Sequence, residues 1–429
     1  MKKLIFTISL LIASIAVHSQ STGGKTMDTA DLVTYAKTPI LNWESEQMVE
    51  GKPAWQGFLL IKAKLNGIYD ISGGLQENET FNVGKIDVWG TNNDDRFSMD
   101  LHQSQIRLWS SRQTKTGTFI GYLELDAWAG NNQVRLRHAW FNYKFMHIGQ
   151  DWTFFGDKDI WPNVMDWDGP PSGVWRREPQ IKFFWSTPKD WKYSVGVEQP
   201  RAEITFDSNI DSTLAAAFQN IPDMIGAVRK TTKYGHLRLS GILRYMNYKN
   251  GMDTKRTLGY GFSFSGYVKT SQRFRNSFQF QVTGGVGIAG YLVSFGGLNY
   301  DAVSTYPGKV ESVPALGSWV AYEHFFSQRW HANVVLGFSS FRSPTIQEFN
   351  FSPENITNTD GTAAFEHQYV LFNIMYDPTP GLTIGVEYNL GNKHNIYKGT
   401  IDNGTEIPST SADKARTAQR ISFGAFFDF

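Results

Sequence analysis

Two arginines two places apart, Arg135 and Arg137, open the stretch RLRHAWFNYKFMHIGQDW, and four aspartates, Asp157, Asp159, Asp166 and Asp168, follow it in a segment rich in Trp and Pro. That segment, residues 153–177, closes on Arg176 and Arg177. Fixed guanidinium groups in a narrow polar passage select anions, and the planar fork of Arg takes both oxygens of a carboxylate. If the flanking strands belong to a closed barrel, the aspartate segment folds into the lumen, faces the arginines and makes a charged constriction. Two plainer readings stand beside this one. The arginines could pair with Glu124 and Asp126 on a neighbouring strand. The aspartates could be solvated loop charges or hold a cation such as Ca²⁺, although no regular Ca²⁺-loop spacing occurs and no metal or cofactor is assigned.

Positioning these groups requires strands. On strand parity Arg135 shares a face with Arg137, Arg107 with Gln103 and Gln105, and Arg238 with Ser240 and Arg244. An Arg on the lipid face at mid-membrane costs about 2–4 kcal/mol, so these side chains point into the lumen. The expected pore-lining set is Arg107, Arg135, Arg137, Lys182, Arg238, Arg244, Glu124 and Asp126. The expected constriction loop carries Asp157, Asp159, Asp166, Asp168, Arg176 and Arg177.

The composition fits such a barrel. Cysteine is absent from the 429 residues, net charge is +1, aromatics make up 15% and glycines number 40, while mean hydropathy is −0.34. A near-neutral chain lacks the basic surface of a nucleic-acid binder. An apolar outside, a wet inside and aromatic girdles account for an aromatic-rich chain of negative hydropathy. The first residues, MKKLIFTISLLIASIAVHSQ, join a basic start to an apolar run too short for a membrane span, the pattern of a cleaved export signal over residues 1–19. Mature protein taken from outer membranes is therefore expected to begin at or near Gln20 on N-terminal sequencing, and an intact Met1 there would contradict cleavage.

Residues 20–53 are polar and aperiodic, an expected periplasmic extension or plug, and residues 54–429 alternate two kinds of connection. Short turns fall at 111–116, 144–147, 187–190, 231–235, 270–275, 326–329 and 377–381. Long polar connections fall at 71–98, 153–177, 201–221, 249–256, 291–315, 342–362 and 392–414, and only the short connection at 130–132 breaks the rule. The pattern predicts an all-β fold: a transmembrane antiparallel up-and-down β-barrel of about sixteen strands with an inward-folded constriction loop. Leu258, Tyr260, Phe262 and Phe264 alternate with Thr257, Ser263 and Ser265, one greasy face against one wet. In the last strand Ile421, Phe423, Ala425, Phe427 and Phe429 share a face, and the terminal Phe429 is similar to the signal read by barrel-insertion machinery.

The residues also resemble a family, the DcaP-like trimeric outer-membrane porins. The resemblance rests on QSQIRLW around Gln105 to Arg107, YLELD with Glu124 and Asp126, RLRHAWFNY from Arg135 to Tyr143, GQDW ending at Trp152, and GPPSGVWRREPQIK from Gly169 to Lys182. Asp151 stands where the family pattern implies Thr, and segment 20–53 is shorter than the helical extension some members carry. The resemblance implies a homotrimer in the outer membrane of a Gram-negative cell. Expected partners are outer-membrane lipid and lipopolysaccharide, small anionic solutes and the insertion machinery, with no nucleic acid.

Motifs for other chemistry fail. GVGIAG at 285–290 spells GxGxxG, yet it ends a strand and opens no helix, and neither G-x-S-x-G nor HExxH occurs. The expected function is passive diffusion of small hydrophilic, preferably anionic, dicarboxylate-like solutes, without catalysis. The competing readings are a phospholipase-like barrel enzyme and a plugged ligand-binding barrel.

Overall fold

In the computed structural model the described residues are 41–75, 80–129, 133–208, 210–271, 275–344, 361–401, 405–407 and 413–428. The export signal, residues 20–40 and Phe429 lie outside them. Sixteen antiparallel strands close into a barrel. They are β1 (Trp55–Ile71), β2 (Gln105–Thr114, preceded on the same edge of β1 by Arg96–Asp100), β3 (Gly117–Ala129), β4 (Gln133–Tyr143), β5 (Met146–Trp152), β6 (Arg177–Ser186), β7 (Trp191–Glu198) and β8 (Asp223–Thr232). The second half comprises β9 (Gly235–Asn250), β10 (Asp253–Lys269), β11 (Ser277–Val286), β12 (Pro314–Phe325), β13 (Trp330–Ser343), β14 (Gly361–Thr379), β15 (Leu382–Ile401) and β16 (Asp413–Asp428).

Closure runs from Gln419↔Ile71 to Asp428↔Lys62, between β16 and β1. Inside that seam Arg420 Nε and Nη2 donate to Asp70 at 2.6 and 3.0 Å, both side chains buried. Where β16 ends, Leu41–Glu44 pairs with Gln56–Leu59 while β2 holds the other edge of β1. The described part of the N-terminal segment thus caps a strand edge that would otherwise present unpaired backbone groups.

Outside, Leu258, Tyr260, Phe262 and Phe264 are exposed, and Ser263 and Ser265 on the other face are buried, the alternation a membrane barrel demands. Three features differ from the sequence expectation. Residues 392–401, expected as the start of a long connection, continue β15, which pairs with β14 up to Gly361↔Gly399. Residues 249–256 form no loop: β9 and β10 pair up to Asn250↔Asp253, and Gly251, at φ +59°, supplies the left-handed turn.

Three connections, rather than one, fold inward: 80–90, 153–176 and 287–301. Each carries an apolar cluster that needs burial, namely Phe81, Val83 and Ile86; Phe154, Phe155, Ile160 and Val164; and Ile288, Tyr291, Leu292 and Phe295, all 5% exposed or less. They pack on one another and on inward positions of the wall, including Ile225, Ile242, Phe341, Phe365 and Tyr397 and Trp319, Val335, Tyr369 and Leu371. Val293 and Ser294 donate to the carbonyls of Gly173 and Pro171 at 3.0 and 2.6 Å, and a Cβ at Gly84 would sit 1.7 Å from the Ser294 carbonyl. The lumen beside β8, β9 and β12–β15 is therefore packed core, and open space remains on the side of β2–β6.

Candidate constriction site

The crossing segment 153–176 is pinned at several points of the wall. At its start Glu198 of β7 accepts from Thr153 Oγ1 and Phe154 N at 2.7 and 2.9 Å. At its far end Glu387 of β15 accepts from Met165 N at 2.7 Å. Lys64 of β1 donates to the Met165 carbonyl and stands 3.9 Å from the Trp167 ring centroid. The return is held where Ser172 Oγ donates to the Ser318 carbonyl and Val174 N to Gln281 Oε1, both at 2.8 Å.

On the opposing wall the β3–β4 register shifts by one residue between Glu124↔His138 and Leu125↔Leu136. That β-bulge places Arg137 as the extra residue, so Arg135, Arg137 and the buried His138 all reach the lumen, while Leu136 is exposed to the outside. Simple parity cannot give this arrangement. Arg135 donates to both oxygens of Asp126 at 3.0 and 2.7 Å. Arg137 reaches Glu124 at 2.6 Å and Asp126 at 2.9 Å, and Arg107 Nε lies 3.3 Å from Glu124. Three guanidinium groups thus share two carboxylates.

Between this wall and the crossing segment lies a cavity of about 460 Å³ lined by Arg135, Arg137, Arg177, Lys85, Asp168 and the tryptophans Trp128, Trp152, Trp167 and Trp175, with Thr80 and Gln103. Trp152, Trp175 and Trp161 form a stack with successive ring centroids 3.8 Å apart. The Arg177 guanidinium lies 4.9 Å from the Trp152 ring centroid, and Arg135 lies 5.6 Å from that of Trp128. Among the described residues no carboxylate forms an ion pair with Arg177, although it lies on the same passage as the Asp126-bound arginines.

The expected division into a positive wall and a negative loop is corrected here. Asp157 turns to the barrel wall, accepting from His236 Nε2 at 2.9 Å and Ser265 Oγ at 2.8 Å. Burial acts to raise its pKa, but the His236 hydrogen bond and the nearby Arg238 and Arg229 charges hold the carboxyl below the usual range. Asp159 pairs with Arg229, and the buried Asp166 accepts from the backbone N–H of Phe81. Only Asp168 of the four lines the cavity. Among the described residues no group of three acidic or His side chains is arranged to hold a metal ion.

The basic residues divide in the same way. Arg176 and Arg177 part company: Arg176 is buried on Glu178 at 2.5 Å and the Gly290 carbonyl at 3.1 Å. Arg238 and Arg244 face inward, as their parity requires, but they fasten loops instead of lining the passage. Arg238 donates to the Phe154 carbonyl, and Arg244, fully buried, pairs with Asp223 at 3.0 Å and Asp301 at 2.9 Å. Lys182 sits half-buried 5.4 Å from the Phe154 ring centroid. Lys85 and the tryptophans of the passage are the lining residues that strand parity does not identify. In the sequence a Trp near a strand end is indistinguishable from a girdle anchor.

A closed sixteen-stranded barrel, apolar outside, with segments folded in beside a polar cavity, has the architecture of an outer-membrane porin. Its fold is DcaP-like. It superposes on the outer membrane channel DcaP of Acinetobacter baumannii with a TM-score of 0.65 at 16% identity, covering 89% of this chain and 99% of that one. It also matches OmpT, an outer membrane protein of Vibrio cholerae, at TM-score 0.51 and 9% identity, over 89% of this chain and 100% of that one. An anion-selective porin from Comamonas acidovorans matches at 0.50 and 10% identity, over 87% and 100%. At such identities the likeness is one of fold. No protein-family model and no curated protein matches the sequence.

Proposed function

We propose that the chain is a diffusion channel for small anionic solutes, dicarboxylates foremost, working as a homotrimer in the outer membrane. The observation that carries this reading is Arg177, a guanidinium on the passage with no ion-pair carboxylate among the described residues, next to arginines that outnumber the acids they bind. An anion entering the cavity exchanges hydration for the Arg177 fork and the outer edges of Arg135 and Arg137. It leaves again because the groups are spread along the wall and no enclosed cage forms. At about 30 Å³ per water, the cavity holds roughly fifteen waters, enough for a small solute that keeps part of its shell. The fold shared with a porin described as anion-selective is in keeping with this reading.

The test is a planar-bilayer recording with a salt gradient. The reversal potential is expected to show anion preference, and millimolar succinate is expected to block the current. A barrel that binds succinate without conducting would be a plugged receptor. Cation preference would remove Arg177 from its proposed role.

A further inference from the structure

On the outer surface the wall has a notch. β11 ends at the Val286↔Pro314 rung, because Gly287, at φ +70°, turns the chain into the lumen. β10 nevertheless runs on upward beside it to Asp253, and β13 to Ser343. The hairpin of Ala302–Tyr306 and Lys309–Ser312 closes the notch from behind. It is tied to β10 by Ser312 Oγ donating to the Leu258 carbonyl at 2.6 Å and Lys255 Nζ to the Gly308 carbonyl at 3.2 Å. The result is an open cavity of about 790 Å³ whose lining includes Leu258, Val286 and Pro314 below and Arg256, Lys309 and Arg342 above.

The order of residues along the strands identifies what this cavity fits. On the outward face of β10, Phe264, Phe262, Tyr260 and Leu258 are exposed apolar side chains, and the next outward position is Arg256. On β13, Val334 and Leu336 lead through Ser340 to Arg342, whose side chain is 71% exposed. The cations therefore stand directly above the top of the apolar belt, where acyl chains end and headgroups begin. Among the described residues two carboxylates stand near them, one of which, Glu311, lines the notch itself. Lys309 pairs with Glu311, and Arg342 lies 3.8 Å from Glu366, while Arg256 donates to the neutral Asn247 Oδ1 at 3.0 Å.

We propose that this notch binds the phosphorylated headgroup of an outer-leaflet lipid, with Arg256, Lys309 and Arg342 on the phosphate and Leu258, Val286 and Pro314 against the root of an acyl chain. Basic pockets at the membrane boundary take anionic headgroups because each Lys or Arg adds attraction that bulk solvent only partly screens. The apolar floor separates such an amphiphile from a free anion, which would gain nothing from Leu258.

The test uses the full-length barrel in nanodiscs of zwitterionic phospholipid, into which bisphosphorylated lipid A or its dephosphorylated counterpart is titrated, with bound lipid read by native mass spectrometry. The Arg256→Gln, Lys309→Gln, Arg342→Gln variant is expected to bind the phosphorylated lipid roughly 10- to 100-fold more weakly than the parent, with unchanged single-channel conductance. Equal binding by parent and variant would overturn the proposal, as would equal binding of the two lipids by the parent. Inorganic phosphate that competes as well as the lipid at equal concentration would also overturn it, and a shift in oligomeric state of the variant would mark the notch as a protein contact. Arg342→Gln alone, at the most exposed of these side chains, keeps the test open should the triple variant not assemble.

Discussion

Replacing Arg135 and Arg137 together by Gln is expected to abolish anion preference, and adding Arg177→Gln is expected to make the channel prefer cations. The arithmetic is local. Arg107, Arg135, Arg137, Arg177 and Lys85 give five positive charges around the passage, and Glu124, Asp126 and Asp168 give three negative ones, a balance of +2. The double variant brings the balance to 0 and leaves Asp126 without its bidentate partner, and the triple variant brings it to −1. One unit charge at 4 Å contributes about 1 kcal/mol in bulk water and about 4 kcal/mol at an effective dielectric of about 20. Losing two charges should therefore shift the anion-to-cation permeability ratio roughly 10-fold or more. The measurement is the reversal potential at about 0.01 M salt, where the Debye length is about 30 Å. Asp168→Asn should move selectivity the other way. An unchanged ratio in the double variant would show that these arginines serve only their wall partners and that selection happens elsewhere.

Arg244→Met is expected to loosen the inward segment 287–301, raising single-channel conductance and lowering the temperature at which the folded barrel loses its heat-modifiable form. Arg244 is fully buried between Asp223 and Asp301 and donates to the carbonyls of Gly287 and Arg201 at 2.5 and 2.6 Å. Its removal strands two buried carboxylates, and breaking such a pair from one side costs about 3–5 kcal/mol. The wall itself should persist, because the rung Arg244↔Gly259 is a backbone pairing that a side-chain substitution leaves in place. Converting Asp223 and Asp301 to Asn in the same chain should recover much of the loss, since no unpaired charge then remains. Unaltered conductance and stability in Arg244→Met would mean the segment is held by its apolar contacts alone.

The barrel was legible because its signals are local. The period of two in Leu258–Phe264, the turn expected at 377–381 and found between Thr379 and Leu382, and the alternation of the last strand each need only a few neighbouring residues. The site was legible only in part. That Arg135 and Arg137 face inward follows from lipid cost, but the bulge that brings His138 inward beside them depends on the register with β3. The destinations of Asp157 and Asp166 depend on His236 and on the Phe81 N–H, partners far along the chain. A further signal lies in β14. Along β14, Phe365, Tyr369 and Leu371 alternate with Val370, Phe372 and Ile374, so both faces are apolar. A strand facing lipid outside and water inside has no use for that pattern, which implies something greasy within.

The packed half of the lumen separates two tasks that an evenly hollow barrel would mix. Substitutions among Ile242, Phe295, Phe341 and Phe365 meet a close-packed core in which even one methylene is felt. Those at Arg135, Arg177 or Trp152 border open water. A lineage carrying this architecture can exchange its solute by changing a few side chains on the β2–β6 side without reopening the question of whether the protein folds. Across descendants the passage should therefore vary freely while the greasy half stays nearly fixed.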